Sequence, residues 1–174
     1  MTNAEILERA KSQVGKLRYK LGRGGNDPKA DRAAPLAWAV PKGSLIPALA
    51  RWADCSGFVA WCLGIRRSLP IPNYYVHTDA IYFDAINVHR QRLFVALGAA
   101  GGNRLPFDPQ PGDLVVFPDY KDATGKHREG HVAIIVDHST RMVIDCASGR
   151  QDGVAIHRAG EWWNKAIVVR FKGL

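Results

Sequence analysis

Cys55 and His131 are the side chains of this sequence best suited to act on a substrate together. Cys55 lies in the run Asp54-Cys55-Ser56-Gly57-Phe58-Val59-Ala60-Trp61-Cys62, which passes from polar to apolar and ends near Gly64. Asp54 is a good helix N-cap and Gly64 a good stop, so the run predicts a buried helix over 55–64 with the thiol in its first turn. Unpaired backbone N–H groups there, with the positive end of the helix dipole, favour an anion. A thiol so placed can have its pKa lowered from about 8.5 towards neutrality, and the thiolate is the nucleophile. By itself Cys55 reads as a small core residue, and His131 as a hydrogen-bonded strand residue. The pair is what points to Cys–His nucleophilic catalysis.

A strand must deliver the histidine. Pro111-Gly112-Asp113 is a turn signal before Leu114-Val115-Val116-Phe117, and a polar loop then leads to Gly130-His131-Val132-Ala133-Ile134-Ile135-Val136. Both apolar runs are short, β-branched and turn-bounded, so they predict buried strands, with His131 at the mouth of the second. The next strand, Met142-Val143-Ile144-Asp145-Cys146-Ala147-Ser148, offers Asp145 and Cys146 as a third group at the imidazole. Successive strand residues point to opposite faces, and a one-residue slip exchanges them. An odd number of loop residues around His138-Ser139-Thr140-Arg141 brings Asp145 to the face of His131, and an even number brings Cys146. Chemistry favours Asp145, because a carboxylate fixes the tautomer of the ring and stabilises the imidazolium, and a thiol does so poorly.

The motifs DCSGFV (54–59), PGDLVVF (111–117) and GHVAIIV (130–136), in that order, resemble those of the NlpC-type cell-wall peptidases. These are papain-like cysteine hydrolases that cut peptidoglycan stem peptides. Leu17-Arg18-Tyr19-Lys20-Leu21-Gly22 is a weaker match to the tyrosine segment of that family, and the matches together span about residues 3–171. The resemblance implies Cys55 as nucleophile and His131 as its base. It also implies that Asp54, Ser56 and Tyr19 help hold a γ-D-glutamyl-containing stem peptide. Family members usually carry a second histidine on the strand after the base; here that strand has none, and Asp145 and Cys146 are the candidates in its place, with Asp145 favoured by its chemistry.

Composition fits an enzyme of this kind. A chain of 174 residues that is 47% hydrophobic and 23% charged reads as one globular domain over 1–174 with a sizeable core. Twenty-four Lys and Arg against 16 Asp and Glu give a formal charge of +8, which suits an anionic cell wall. No recognition-helix, zinc-finger or RNA-binding pattern supports a nucleic-acid partner. The three cysteines, 55, 62 and 146, form neither a disulfide framework nor a CxxC metal pair. His127 and His131 lack the shared helix a metal pair needs, and Gly22-Arg23-Gly24-Gly25 lacks the Lys-Ser/Thr of a phosphate loop, so neither metal nor cofactor is expected. The start of the chain reads as a helix over 3–14 with a Thr2–Glu5 capping box, not as an export signal. No apolar run approaches the roughly 20 residues that span a bilayer. An enzyme made in a bacterial cytoplasm without a signal peptide would reach a wall by a secretion machine, a phage particle or lysis, or act inside the cell. An immunity or inhibitor protein would then be a natural partner.

The remaining elements follow more coarsely. Residues 26–53 read as an insertion beside the cleft with a short helix near 45–52, and 77–98 as helical segments followed by a loop over 99–103. Strands are expected near 114–117, 131–137, 142–147, 153–158 and 166–171. Helices first and antiparallel strands second predict an α+β layer fold, and the resemblance makes it papain-like, with the nucleophile helix on a five-stranded sheet. Among the tryptophans, Trp61 is expected in the core, and Trp38 and Trp162 are the candidates for a substrate groove. Two rival readings remain: an amidase or acyltransferase on the same scaffold, or a non-catalytic wall-binding or particle-associated domain.

Overall fold

A computed structural model describes residues 1–27, 29, 52–69, 74–87, 93–102, 108–149 and 152–173. Most of the expected insertion at 26–53 lies outside these, as do Trp38 and all of the helix proposed near 45–52 except Trp52. Helix α1 covers Asn3–Ser12 and starts with the expected capping box: Glu5 N–H donates to Thr2 Oγ1 at 3.2 Å, and Thr2 N–H to Glu5 Oε2 at 2.6 Å. Strands β1 (Arg18–Tyr19) and β2 (Trp52–Ala53) pair in parallel and lead into helix α2, Cys55–Cys62. Gly64 ends α2 at φ 69°, with Gly64 N–H bonded to Trp61 O and Ile65 N–H to Ala60 O, a Schellman motif. Helix α3 follows at Thr78–Ile86.

A six-stranded sheet makes the second layer. Its strands are β3 (Phe94–Ala99), β4 (Leu114–Phe117), β7 (His131–Asp137), β8 (Met142–Ala147), β9 (Gly153–Arg158) and β10 (Ile167–Phe171). They run in the order β3-β10-β4-β7-β8-β9 with antiparallel neighbours. A small ribbon of β5 (Tyr120–Lys121) and β6 (His127–Arg128) bridges β4 and β7. The fold is therefore α+β, with six strands where five were expected. The extra strand is β3, in a segment read from sequence as helix. A short apolar run such as Leu93-Phe94-Val95-Ala96-Leu97 fits either period, and pairing with β10 decides it. Asp84 of α3 fixes the change of direction, its Oδ2 accepting the N–H groups of Leu93 and Phe94 at 3.0 Å each.

Both faces of the sheet are buried. Leu114, Val116, Val132, Ile134, Ile144 and Cys146 face α1, α2 and α3, whereas Val115, Phe117, Ala133, Ile135, Val143 and Val168 face a 3-10 turn, Glu161–Lys165, that inserts Trp163. That explains strands that read as continuous apolar runs. The Pro-Gly-Asp turn locks the two layers together. Asp113 is fully buried; its carboxylate accepts Arg170 Nε at 2.9 Å and Nη2 at 2.7 Å, and Asn3 Nδ2 at 2.9 Å. Gly112 has φ 93°, and a Cβ there would run into the Asn3 carbonyl oxygen at the start of α1. Gly112→Ala is expected to cost at least about 2 kcal/mol, from overpacking and a left-handed backbone together. A urea midpoint unchanged from wild type would contradict this view of the α1–sheet junction.

Candidate active site

The start of α2 is set by a buried ionic network. Asp54 Oδ1 accepts the Gly57 N–H at 2.7 Å and the Ser56 hydroxyl at 3.2 Å. Its Oδ2 accepts the Gly22 N–H and Arg67 Nη2, each at 2.7 Å. Arg67 Nη2 also donates to Ser56 Oγ at 2.9 Å, and Nη1 to the Arg23 carbonyl at 3.0 Å. A Cβ on Gly57 would collide with that same Arg23 carbonyl, which accounts for the glycine in the DCSG motif and for the glycine-rich 22–25 turn against it. Asp54 and Ser56 were expected to hold substrate. Instead both are buried, and the four acceptor positions of the carboxylate are taken within the protein. Their contacts brace the start of the helix that carries Cys55.

Cys55 is the first residue of α2 and His131 the first of β7, and α2 packs on β7 and β8. Gly130 fits the histidine into its place, since a Cβ there would meet the Phe117 carbonyl, Thr78 Oγ1 and the Asp119 N–H. His131 Nε2 lies 2.6 Å from Asp145 Oδ2. A carboxylate only accepts, so Nε2 carries the proton, and Nδ1 is the ring nitrogen left for Cys55, which is near enough to help raise the pKa of the ring.

The register that brings Asp145 here departs from the simple count. The connection is 138–141, an even number, which alone would have delivered Cys146. Ile134 faces Ile144 and Ile135 faces Val143, but Asp137 faces Met142, so Val136 has no opposite residue. This bulge reverses the parity and puts Asp145 on the face of His131. Cys146 points the other way, its thiol donating to the Ala53 carbonyl at 3.2 Å.

Burial pushes the Asp145 carboxyl up, yet hydrogen bonds from His131 and His157 outweigh it and hold the group down at about 2. Burial likewise disfavours the His131 imidazolium, but bonds to Asp145 and Cys55 raise the ring to about 10. Tyr19, half-buried in β1, is pushed up to about 12, first by burial and then by the charges of Cys55, Glu129 and Asp54, so its hydroxyl remains a donor. The thiols of Cys62 and Cys146 are raised by burial. Trp162 stands edge-on to His131 with ring centroids 5.2 Å apart, and Phe117 lies 5.8 Å from Trp162, so an aromatic wall flanks the imidazole. Trp61 lies in the core, with the Arg9 guanidinium 4.0 Å from its ring centroid. His127 pairs with Asp119 at 3.1 Å on the β5–β6 ribbon.

Two contributors carried no motif: Arg67, and His157, whose Nε2 lies 3.0 Å from Asp145 Oδ1. Counting alternation across the turn from Asp145 to His157 would have found the latter, since both are on one face. The described residues thus form an α+β protein with a Cys–His–carboxylate cluster where a helix start meets a sheet. No family model matches the chain, and no curated protein matches it. No helix among the described residues is long and apolar enough to cross a membrane.

Iodoacetamide at neutral pH is expected to modify Cys55, which is 8% exposed, before Cys62 and Cys146, which are both 0% exposed and raised by burial. Mass spectrometry finding either buried cysteine labelled first would remove Cys55 as the reactive thiol. A second expectation concerns pH. His131 is raised from an ordinary 6.5 to about 10, so its share of stability is full below 6.5 and is lost as pH rises through about 10. Asp145 is lowered from 3.8 to about 2, so its share is present above 3.8 and is lost as pH falls through about 2. The Tm advantage of wild type over Asp145→Asn should therefore be greatest between these limits and shrink on the alkaline side. A difference that stays flat to pH 10.5 or so would exclude the pairing.

Proposed function

We propose that this protein is a papain-like cysteine hydrolase that cuts peptide bonds in peptidoglycan stem peptides. The observation carrying the proposal is the His131 ring, bonded through Nε2 to Asp145, with Cys55 at a helix start close enough to raise the ring's pKa. Nucleophile, base and orienting carboxylate are the three parts thiol acyl transfer requires. The substrate class rests on the DCSGFV, PGDLVVF and GHVAIIV motifs, and the charge of +8 suits an anionic wall.

His131, held as imidazolium by Asp145, keeps on Nδ1 the proton that Cys55 gives up, and Sγ attacks the amide carbonyl carbon. The oxyanion is met by the backbone N–H of Cys55, in the first turn of α2, and by the Tyr19 hydroxyl. The imidazolium gives its proton to the leaving nitrogen as the C–N bond breaks, leaving a thioester on Cys55. Water, deprotonated by His131, then releases the acid. Throughout, Asp145 holds Nε2–H, so that Nδ1 faces the sulfur in each step. Trp162 and Tyr19 are the residues placed to touch the peptide, and Asp54 and Ser56 act through the helix they brace.

Incubation with purified peptidoglycan, followed by mass analysis of the released fragments, tests the proposal and identifies the bond. Cys55→Ala and His131→Ala should release nothing while keeping the fold. Asp145→Ala should lose at least tenfold in rate, about 1.4 kcal/mol of transition-state stabilisation. Fragments released by Cys55→Ala at the wild-type rate would sink the nucleophile assignment.

A further inference from the structure

We propose that His157 is a positioning residue of this site, gripping the second carboxylate oxygen of Asp145 and thereby aiming the first at His131. The inference rests on the Cys–His–Asp reading above and adds to it a member outside the three.

Asp145 sits in β8 with its side chain almost fully buried, where it faces Ala155 of β9, while Val143 faces His157. His157 is thus the diagonal neighbour of Asp145 on the same face, within reach of a long side chain. Oδ2 is taken by His131 Nε2 at 2.6 Å and Oδ1 by His157 Nε2 at 3.0 Å. Among the described residues no other group bonds Oδ1. The torsion that turns an aspartate carboxylate is broad, so one hydrogen bond leaves the plane of the group free to rotate. Two bonds from opposite sides fix it.

The second ring nitrogen of His157 supports the same role. Nδ1 lies 3.1 Å from the Arg158 carbonyl oxygen. Carbonyl and carboxylate oxygens both only accept, so a ring satisfied on both sides donates from both nitrogens. The Asp145 bond holds its proton in line with this, raising the pKa of His157 above 6.5. The two rings face each other across the carboxylate and their charges oppose one another, the His131 charge acting to lower the pKa of His157. A group serving only to strengthen the base would not carry that charge. One serving to hold the carboxylate still would.

The rate of Cys55 alkylation by iodoacetamide at pH 7 reads the site without any assumption about its natural substrate. His157→Phe, which keeps a ring but no donor, should slow the reaction about fivefold. His157→Gln, whose amide can still donate to Oδ1, should stay within about twofold of wild type. In an Asp145→Ala background, His157→Phe should bring no further slowing, because it acts through the carboxylate. Melting curves establish that each variant is folded, and His157→Leu replaces the phenylalanine variant if that one is not. Wild-type rates in His157→Phe, equal slowing in His157→Gln, or slowing that persists without Asp145 would each overturn the proposal. A wild-type Cys55 that reacts no faster than Cys62 or Cys146 would instead overturn the catalytic reading on which it rests.

Discussion

A carboxylate and a guanidinium removed from water together hold the business end of this protein. Asp54 and Arg67 meet at 2.7 Å with side chains 2% and 5% exposed, and such a pair is tolerable when most of its remaining donors and acceptors are used, Arg67 Nε being the donor without a partner among the described residues. Here the carboxylate also caps α2 and ties down Gly22, while the guanidinium reaches Ser56 and the Arg23 carbonyl. Losing either partner would strand a buried charge, at a cost of about 3–5 kcal/mol. The position of Cys55 follows from that constraint. Its neighbours on both sides in the chain are committed inward, so the thiol is the polar group of this segment left at the edge of the core.

The sheet imposes the complementary constraint. Its two apolar faces are covered, by three helices on one side and by Trp163 with the 3-10 turn on the other. Polar chemistry is therefore confined to strand ends and to side chains that find partners. His131 is at a strand end, and Phe117, opposite it in β4, sets the aromatic side of its pocket together with Trp162. The histidine's ring is thereby held by edge-on and tilted aromatic contacts as well as by its bond to Asp145.

Much of this was legible in the chain itself. The caps of α1 and α2, the Pro-Gly-Asp turn and the five later strands followed from turn residues and apolar runs, because in those places local propensity and tertiary packing agree. The strand at 94–99 was hidden, since an apolar stretch of that length has no decisive period and only its partner β10 makes it extended. The side of β8 that meets His131 was open for a different reason: parity hinges on a single unopposed residue, Val136, which leaves no mark in the sequence. Asp54 and Ser56 were legible as members of a motif but not as partners of Arg67, because that residue reaches them only through the fold.

A sheet that is apolar on both sides lacks the usual safeguard against mispairing. Where one face meets water, a strand that slips by one residue exposes its hydrophobic set; here both sets would stay covered, and the penalty from apolar surface alone is small. Asp145 supplies what is missing. In a slipped β8 its carboxylate would turn beneath α2, into the space now filled by the Cys146 thiol beside the Ala53 carbonyl, an ion with neither imidazole to receive it. An unpaired buried charge is among the most unfavourable groups a folding chain can form. The residue bonded to the histidine is thus also a register pin, penalising the one pairing that the hydrophobic pattern would accept.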